Sequence, residues 1–154
     1  MPHWLEIVLV VAHVLAATVW VGGTVALTFI AVPAIRTVAG EPRQLAMRTL
    51  GRRWRPIGWS ALLVLVATGI PLAAHVLPDA GSGAAAVFGI KITAFVALLC
   101  VAYLHDFVLG PRLAAEIREG RSQTSRRPLV LVGWTSFTLT LALPILGVVL
   151  AEIV

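Results

Sequence analysis

The sequence predicts an all-α integral membrane protein, a four-helix bundle with both termini outside and two basic cytoplasmic loops. Three observations carry this prediction. Hydrophobic residues make up 59% of the 154 positions and charged residues only 12%, with a mean hydropathy of +0.96. That balance lies far outside the range of water-soluble domains, which carry about twice the charge. The apolar residues fall into four runs long enough to cross a hydrocarbon core of about 30 Å at about 1.5 Å per helical residue. Finally, eleven of the twelve basic residues lie in two short segments between the runs.

The first span, about residues 4–34, has Glu6 and His13 as its only ionisable side chains between Leu5 and Val32. No Lys or Arg precedes Arg36, so a secretory signal would lack its basic start, and the span is expected to be retained. The segment behind it carries Arg36, Arg43, Arg48, Arg52, Arg53 and Arg55, which the positive-inside rule places in the cytoplasm. Pro42 suits a first helical position, and Leu45, Met47, Leu50 and Trp54 form an apolar stripe among the arginines. These features predict a short interfacial helix over 42–54. The second span, 57–77, contains Gly69 and Pro71 and ends outside at the turn Pro78–Gly83. The third, 84–109, leads into a second cytoplasmic loop with Arg112, Arg118, Arg121, Arg126 and Arg127. The fourth, 129–154, returns outward with Pro144 in its middle. The whole chain, 1–154, reads as one domain. The net charge of +5 is accounted for by the two loops, so nucleic acid is not an expected partner. Cys100 is the single cysteine, which excludes a disulfide framework and a thiolate metal cluster.

The chemistry concentrates on His13 to Pro33, HVLAATVWVGGTVALTFIAVP. Glu6, His13 and Trp20 recur every seven residues and share a helix face. An ionisable group in a membrane span is costly unless it faces protein, which makes His13 a functional candidate. Taking Pro33, Pro56 and Pro111 as markers of the cytoplasmic boundary, His13, His75 and Lys91 each stand nineteen or twenty residues from it. All three are then expected in one layer, roughly 28 to 30 Å from that boundary. His105 falls about 21 Å below Lys91 and belongs to the inner side. Glu6, Asp79 and Glu152 make the outer mouth acidic, a field that draws cations. Candidate metal ligands are His13, His75 and Glu6, with His3 assisting. Each residue also has a plainer role: Lys91 as a snorkelling lysine, His105 with Asp106 as a local pair, Gly22 and Gly23 as packing residues, and Trp4, Trp54, Trp59 and Trp134 as interface anchors.

The run H-x6-W-V-G-G from His13, the proline thirteen residues after Trp20, Thr68-Gly69, Lys91 and Gly110-Pro111-Arg112-Leu113 together resemble the CopD (copper-resistance D) family over nearly the whole chain. The resemblance implies copper passage or copper homeostasis at a bacterial-type plasma membrane. His13, Trp20 and Gly23 with an early lysine in the third span are also similar to HemJ-type protoporphyrinogen oxidases. That similarity implies haem b on His13, with His75, Lys91 or nothing on the other side of the iron. Candidate cofactor-binding residues are therefore His13, Lys91, His75 and Trp20, and the cofactor is open between copper and haem b. The only methionines are Met1 and Met47, so a methionine-lined copper path is not expected. No serine or cysteine shares the histidine layer with a base, so hydrolysis has no support; metal handling ranks ahead of a haem-b protein, either a HemJ-like oxidase or an electron-transfer cytochrome, and of a structural subunit in which His13 is only a packed polar residue. Expected partners are the lipid bilayer, a periplasmic metal or electron donor, and a second copy or a larger membrane complex, with dimerisation through the small faces at Gly22-Gly23 and Gly69.

Overall fold

The structure, a computed structural model, describes residues 1–79 and 81–153. The side chain of Asp79, and with it the expectation that this residue adds to an acidic mouth, lies outside the described residues, as do Ala80 and Val154. Four helices are long and apolar enough to cross a membrane: α1 (His3–Arg36), α2 (Gly40–Val76), α3 (Ser82–Arg118) and α4 (Arg126–Ile153). There is no strand among the described residues. Large apolar side chains such as Ile30, Leu63, Leu131 and Ile145 are mostly exposed. Such a surface is stable against lipid, where every backbone polar group must be paired inside its own helix. Helical threonines follow the same rule, Thr18 donating to the Val14 carbonyl and Thr24 to that of Trp20.

The chain divides into two compact units, Met1–Ala84 and Ala85–Ile153. In the first, α1 and α2 pack as an antiparallel pair: His13 meets Gly69, Trp20 meets Gly58 and Gly23 meets Trp54. The Trp20 and Trp54 rings stand 6.2 Å apart between centroids, and Trp20 is buried. Glycine at position 23 is required by this packing, because a Cβ there would fall inside the Trp54 indole, whereas Gly22 faces open space. In the second unit, Lys91 meets Gly147 and His105 meets Gly133, again an antiparallel pair formed by α3 and α4.

Two differences from the sequence expectations bear on the site. Residues 42–54 and 57–76 are parts of one continuous helix, α2, which runs through Pro56 and Pro71 and ends one residue before the expected limit at 77. Pro56 therefore marks no boundary. It lies level with Trp20 to Gly23, about 15 Å from the level of Pro33. The second difference is a π-turn in each of α1 and α3, at Leu27–Ala31 and Leu104–Leu109. Each turn comes just before a proline, and the residue ahead of that proline donates to the carbonyl five positions back, Val32 to Leu27 and Gly110 to His105.

These features expose an internal repeat at a spacing of 78 positions. Pro33 and Pro111, Trp20 and Leu98, Leu62 and Thr140, Gly69 and Gly147, and the two π-turns all correspond at it. Trp20 and Leu98 are each buried, as are Leu62 and Thr140. Each unit is thus one copy of a hairpin whose first helix carries a π-turn and a proline.

The segment between α3 and α4 is closed by local bonds. Gly120, at φ +63°, ends α3 in the left-handed conformation, and the Arg121 amide donates to the Glu116 carbonyl at 2.9 Å. The Glu116 carboxylate accepts from the Ser125 amide at 3.1 Å, the Ser125 hydroxyl at 2.8 Å and the Thr124 hydroxyl at 3.2 Å. Glu119 takes Arg121 at 2.7 Å and Arg118 at 3.6 Å.

Candidate functional site

His13 lies in the middle of α1, half-buried, and its ring is held by α2. Its Nδ1 is 2.7 Å from the Thr68 hydroxyl, and its Cε1 lies 3.3 Å from the place where a Cβ on residue 69 would stand. Gly69 is what lets the ring lie against the α2 backbone. The Thr68 hydroxyl is also 2.7 Å from the Val64 carbonyl, to which it donates its one hydrogen. With that hydrogen donated to Val64 the hydroxyl accepts from His13, an arrangement that in a neutral ring puts the proton on Nδ1 and leaves Nε2 as the nitrogen able to ligate. A hydroxyl or carbonyl that fixes one imidazole nitrogen and leaves the other basic is the outer-shell arrangement found behind metal-ligating histidines.

Other candidate residues of this unit stand apart from His13. Trp20 lies two turns along α1 and packs on Gly58 and Trp54. Glu6 lies in the first turn of α1, 3.8 Å from His3. His75 is seven residues beyond Thr68 on α2, so it lies about 10 Å past the His13 level and is exposed. The single layer expected for His13 and His75 is therefore not formed, because Pro56 and Pro33 are not level. Because the helices are antiparallel, His75 shares its level with Glu6. Among the described residues no three or more His, Cys, Asp or Glu are grouped to hold a metal, so His13, His75 and Glu6 do not form one ligand set. Gly23 and Gly69, expected on a dimer face, are covered by Trp54 and His13 within the hairpin. An open groove of about 520 Å³ between α1 and α2 is lined by Leu15, Val19, Ile57 and Val64 and contains no titratable group.

In the second unit Lys91 is half-buried, with its Nζ 3.4 Å from the Cβ position of residue 147. His105 and Asp106 form the expected local pair, Nδ1 to Oδ1 at 3.0 Å, inside the π-turn of α3. Thr68 is the partner of His13 that reading His13 alone misses. Its signal in the sequence was the Thr68-Gly69 pair, which becomes meaningful only with the level at which α2 crosses α1.

Residues 48–151 match the family described as copper resistance protein D, CopD, a stretch covering more than half of the chain. The chain belongs to the CopD family. With its four membrane-length apolar helices, it is a multi-pass membrane protein of that copper-resistance family. The matched stretch contains Thr68, Gly69, Lys91 and Gly147, and it begins after α1, so His13 and Trp20 precede it. No curated protein and no solved structure matches the chain.

Proposed function

We propose that this CopD protein moves or buffers copper in a bacterial-type plasma membrane, with both termini outside, the α1–α2 and α3–α4 connections in the cytoplasm, and His13 as a transit ligand. The observation that supports the reading is the Thr68 hydroxyl 2.7 Å from Nδ1 of His13 inside a membrane span, the contact expected behind an imidazole that ligates through Nε2. Imidazole is a good ligand for copper, and the copper-resistance description of the family supports copper as the ion handled. A single imidazole binds weakly on its own. The remaining positions on the ion would be filled by water, a carrier's ligands or a second copy of the chain. Weak, incomplete coordination suits a site that must release its ion, since conduction needs binding strong enough to admit the ion and weak enough to let it leave. Glu6 and His75, about 10 Å further along the hairpin, with His3 about 15 Å along, offer an earlier stopping point for a cation arriving from outside.

Reconstitution into liposomes tests this reading. Copper loading, measured with the full chain, should exceed that of empty liposomes and fall to the empty level in His13→Ala. Equal loading by wild type and His13→Ala would overturn the role of His13. A b-type haem spectrum in the purified protein would replace copper with haem.

A further inference from the structure

The arginines around the α3–α4 connection fall into two kinds. Arg118 and Arg121 are ion-paired to Glu119, at 3.6 and 2.7 Å. Arg126 and Arg127, which open α4, have no carboxylate within ion-pair distance among the described residues. Glu116, the other acid of this connection, is committed to Thr124 and Ser125. Arg126 and Arg127 line an open cavity of about 460 Å³, whose remaining walls are Val130 and Leu131, one turn further along the same helix. Val130 is 45% exposed and Leu131 68%, so two unpaired cations adjoin an uncovered apolar ledge. We propose that this cavity binds an anionic phospholipid, its phosphodiester on Arg126 and Arg127 and an acyl chain along Val130 and Leu131.

The contacts between α3 and α4 give the level of this cavity in the hairpin. Lys91 meets Gly147 and His105 meets Gly133, fourteen residues on in α3 and fourteen back in α4. Six residues further along each helix, Pro111 and Arg127 stand at one level, with Arg112 beside Pro111. At that level α4 passes from its two arginines to the apolar run at 129–132. Cationic and apolar side chains therefore meet along one line, as a phospholipid's headgroup and acyl chains do. The first unit lacks this boundary: at the spacing of 78 positions Val130 and Leu131 correspond to Arg52 and Arg53, so arginines continue up α2 where α4 has turned apolar. The chemistry of the walls selects the ligand. A guanidinium presents a planar fork of donors that fits two phosphate oxygens, and basic pockets at the ends of membrane helices take anionic headgroups. A free anion would engage the arginines but leave Val130 and Leu131 uncovered, and a zwitterionic lipid brings its own cation to them. Orienting the chain in the membrane needs only the sum of positive charge, whereas this site needs the two arginines that no carboxylate occupies.

Phosphatidylglycerol is the probe. The full chain, purified in detergent and delipidated, is titrated with phosphatidylglycerol and, separately, with phosphatidylcholine of the same acyl chains, and bound lipid is counted by native mass spectrometry. Wild type should hold phosphatidylglycerol in clear preference to phosphatidylcholine, a comparison that needs no variant. Arg126→Gln combined with Arg127→Gln should weaken phosphatidylglycerol binding by about tenfold or more, through loss of charge-assisted hydrogen bonds. Arg118→Gln combined with Arg121→Gln removes the same charge from the same connection and should bind as wild type does. Size-exclusion profiles of the two double variants check that the fold is kept. Equal retention of the two lipids by wild type would overturn the proposal, and so would equal losses in the two double variants, which would leave only an effect of net charge. Displacement of phosphatidylglycerol by millimolar inorganic phosphate would overturn it as well, by making the cavity a site for a free anion.

Discussion

Replacing Thr68 by valine probes the His13 site with the least change in shape. Valine keeps the volume and the β-branching of threonine but lacks the hydroxyl that sits 2.7 Å from His13 Nδ1 and 2.7 Å from the Val64 carbonyl. Two effects are expected. The Nδ1 proton loses its acceptor in a half-buried, apolar setting, a cost of about 1 to 3 kcal/mol. Part of that cost is relieved when the proton moves to Nε2, and this tautomer no longer presents the lone pair on the nitrogen that ligates. Loss of an outer-shell partner lowers metal affinity by about 10- to 100-fold, so Thr68→Val should weaken copper binding within that range. Thr68→Ser keeps the hydroxyl and should stay near wild type. Competition titration with a copper chelator on the detergent-purified full chain reads both variants, alongside His13→Ala. If Thr68→Val matches wild type while His13→Ala abolishes binding, the tautomer argument is wrong, even though His13 would remain the ligand.

Three further outcomes follow from the same geometry. Gly23→Ala places a Cβ inside the Trp54 indole and should destabilise the protein by on the order of 3 kcal/mol, seen as a lower Tm, while Gly22→Ala, which meets nothing within 4 Å, should be neutral; equal Tm values would refute the α1–α2 packing. In a Cys100→Ser background, an impermeant thiol reagent added outside should label Ser82→Cys, and should label Thr37→Cys and Ser122→Cys only after permeabilisation; the reverse pattern would invert the orientation set by the arginine loops. Lys91→His combined with Leu146→Thr rebuilds, 78 positions after His13 and Thr68, the pair seen in the first unit, and should raise copper binding above that of the wild type. Binding unchanged from the wild type would show that the two positions are not equivalent.

The four spans were legible because lipid imposes long, uninterrupted apolar runs, and α1, α3 and α4 begin and end within a few residues of where the runs and arginines change over, apart from the extension of α1 and α3 past Pro33 and Pro111. The start of α2 was not legible. Pro56 reads as a boundary, yet a proline inside a membrane helix is tolerated where neighbouring groups satisfy the freed carbonyl, and α2 continues through it. That one error placed His75 level with His13, when the α1–α2 contacts put it about 10 Å away. The twenty-residue spacing shared by His13 with Pro33 and by Lys91 with Pro111 was visible in the sequence, but as a measure of depth. Its meaning as a repeat needed the contacts with Gly69 and Gly147, since few residues are identical between the two halves. Thr68 was likewise visible only as half of a pair with Gly69, because which helix face meets His13 depends on the crossing of α1 and α2 and not on either sequence alone.

Copper stoichiometry and the absorption spectrum, recorded on one preparation of detergent-purified wild type and His13→Ala in oxidised and reduced forms, test the central claim most directly. A colourless wild type that binds copper, with the metal lost in His13→Ala, is the predicted result. A Soret band that shifts on reduction and disappears in His13→Ala, or copper retained in full without His13, would contradict it.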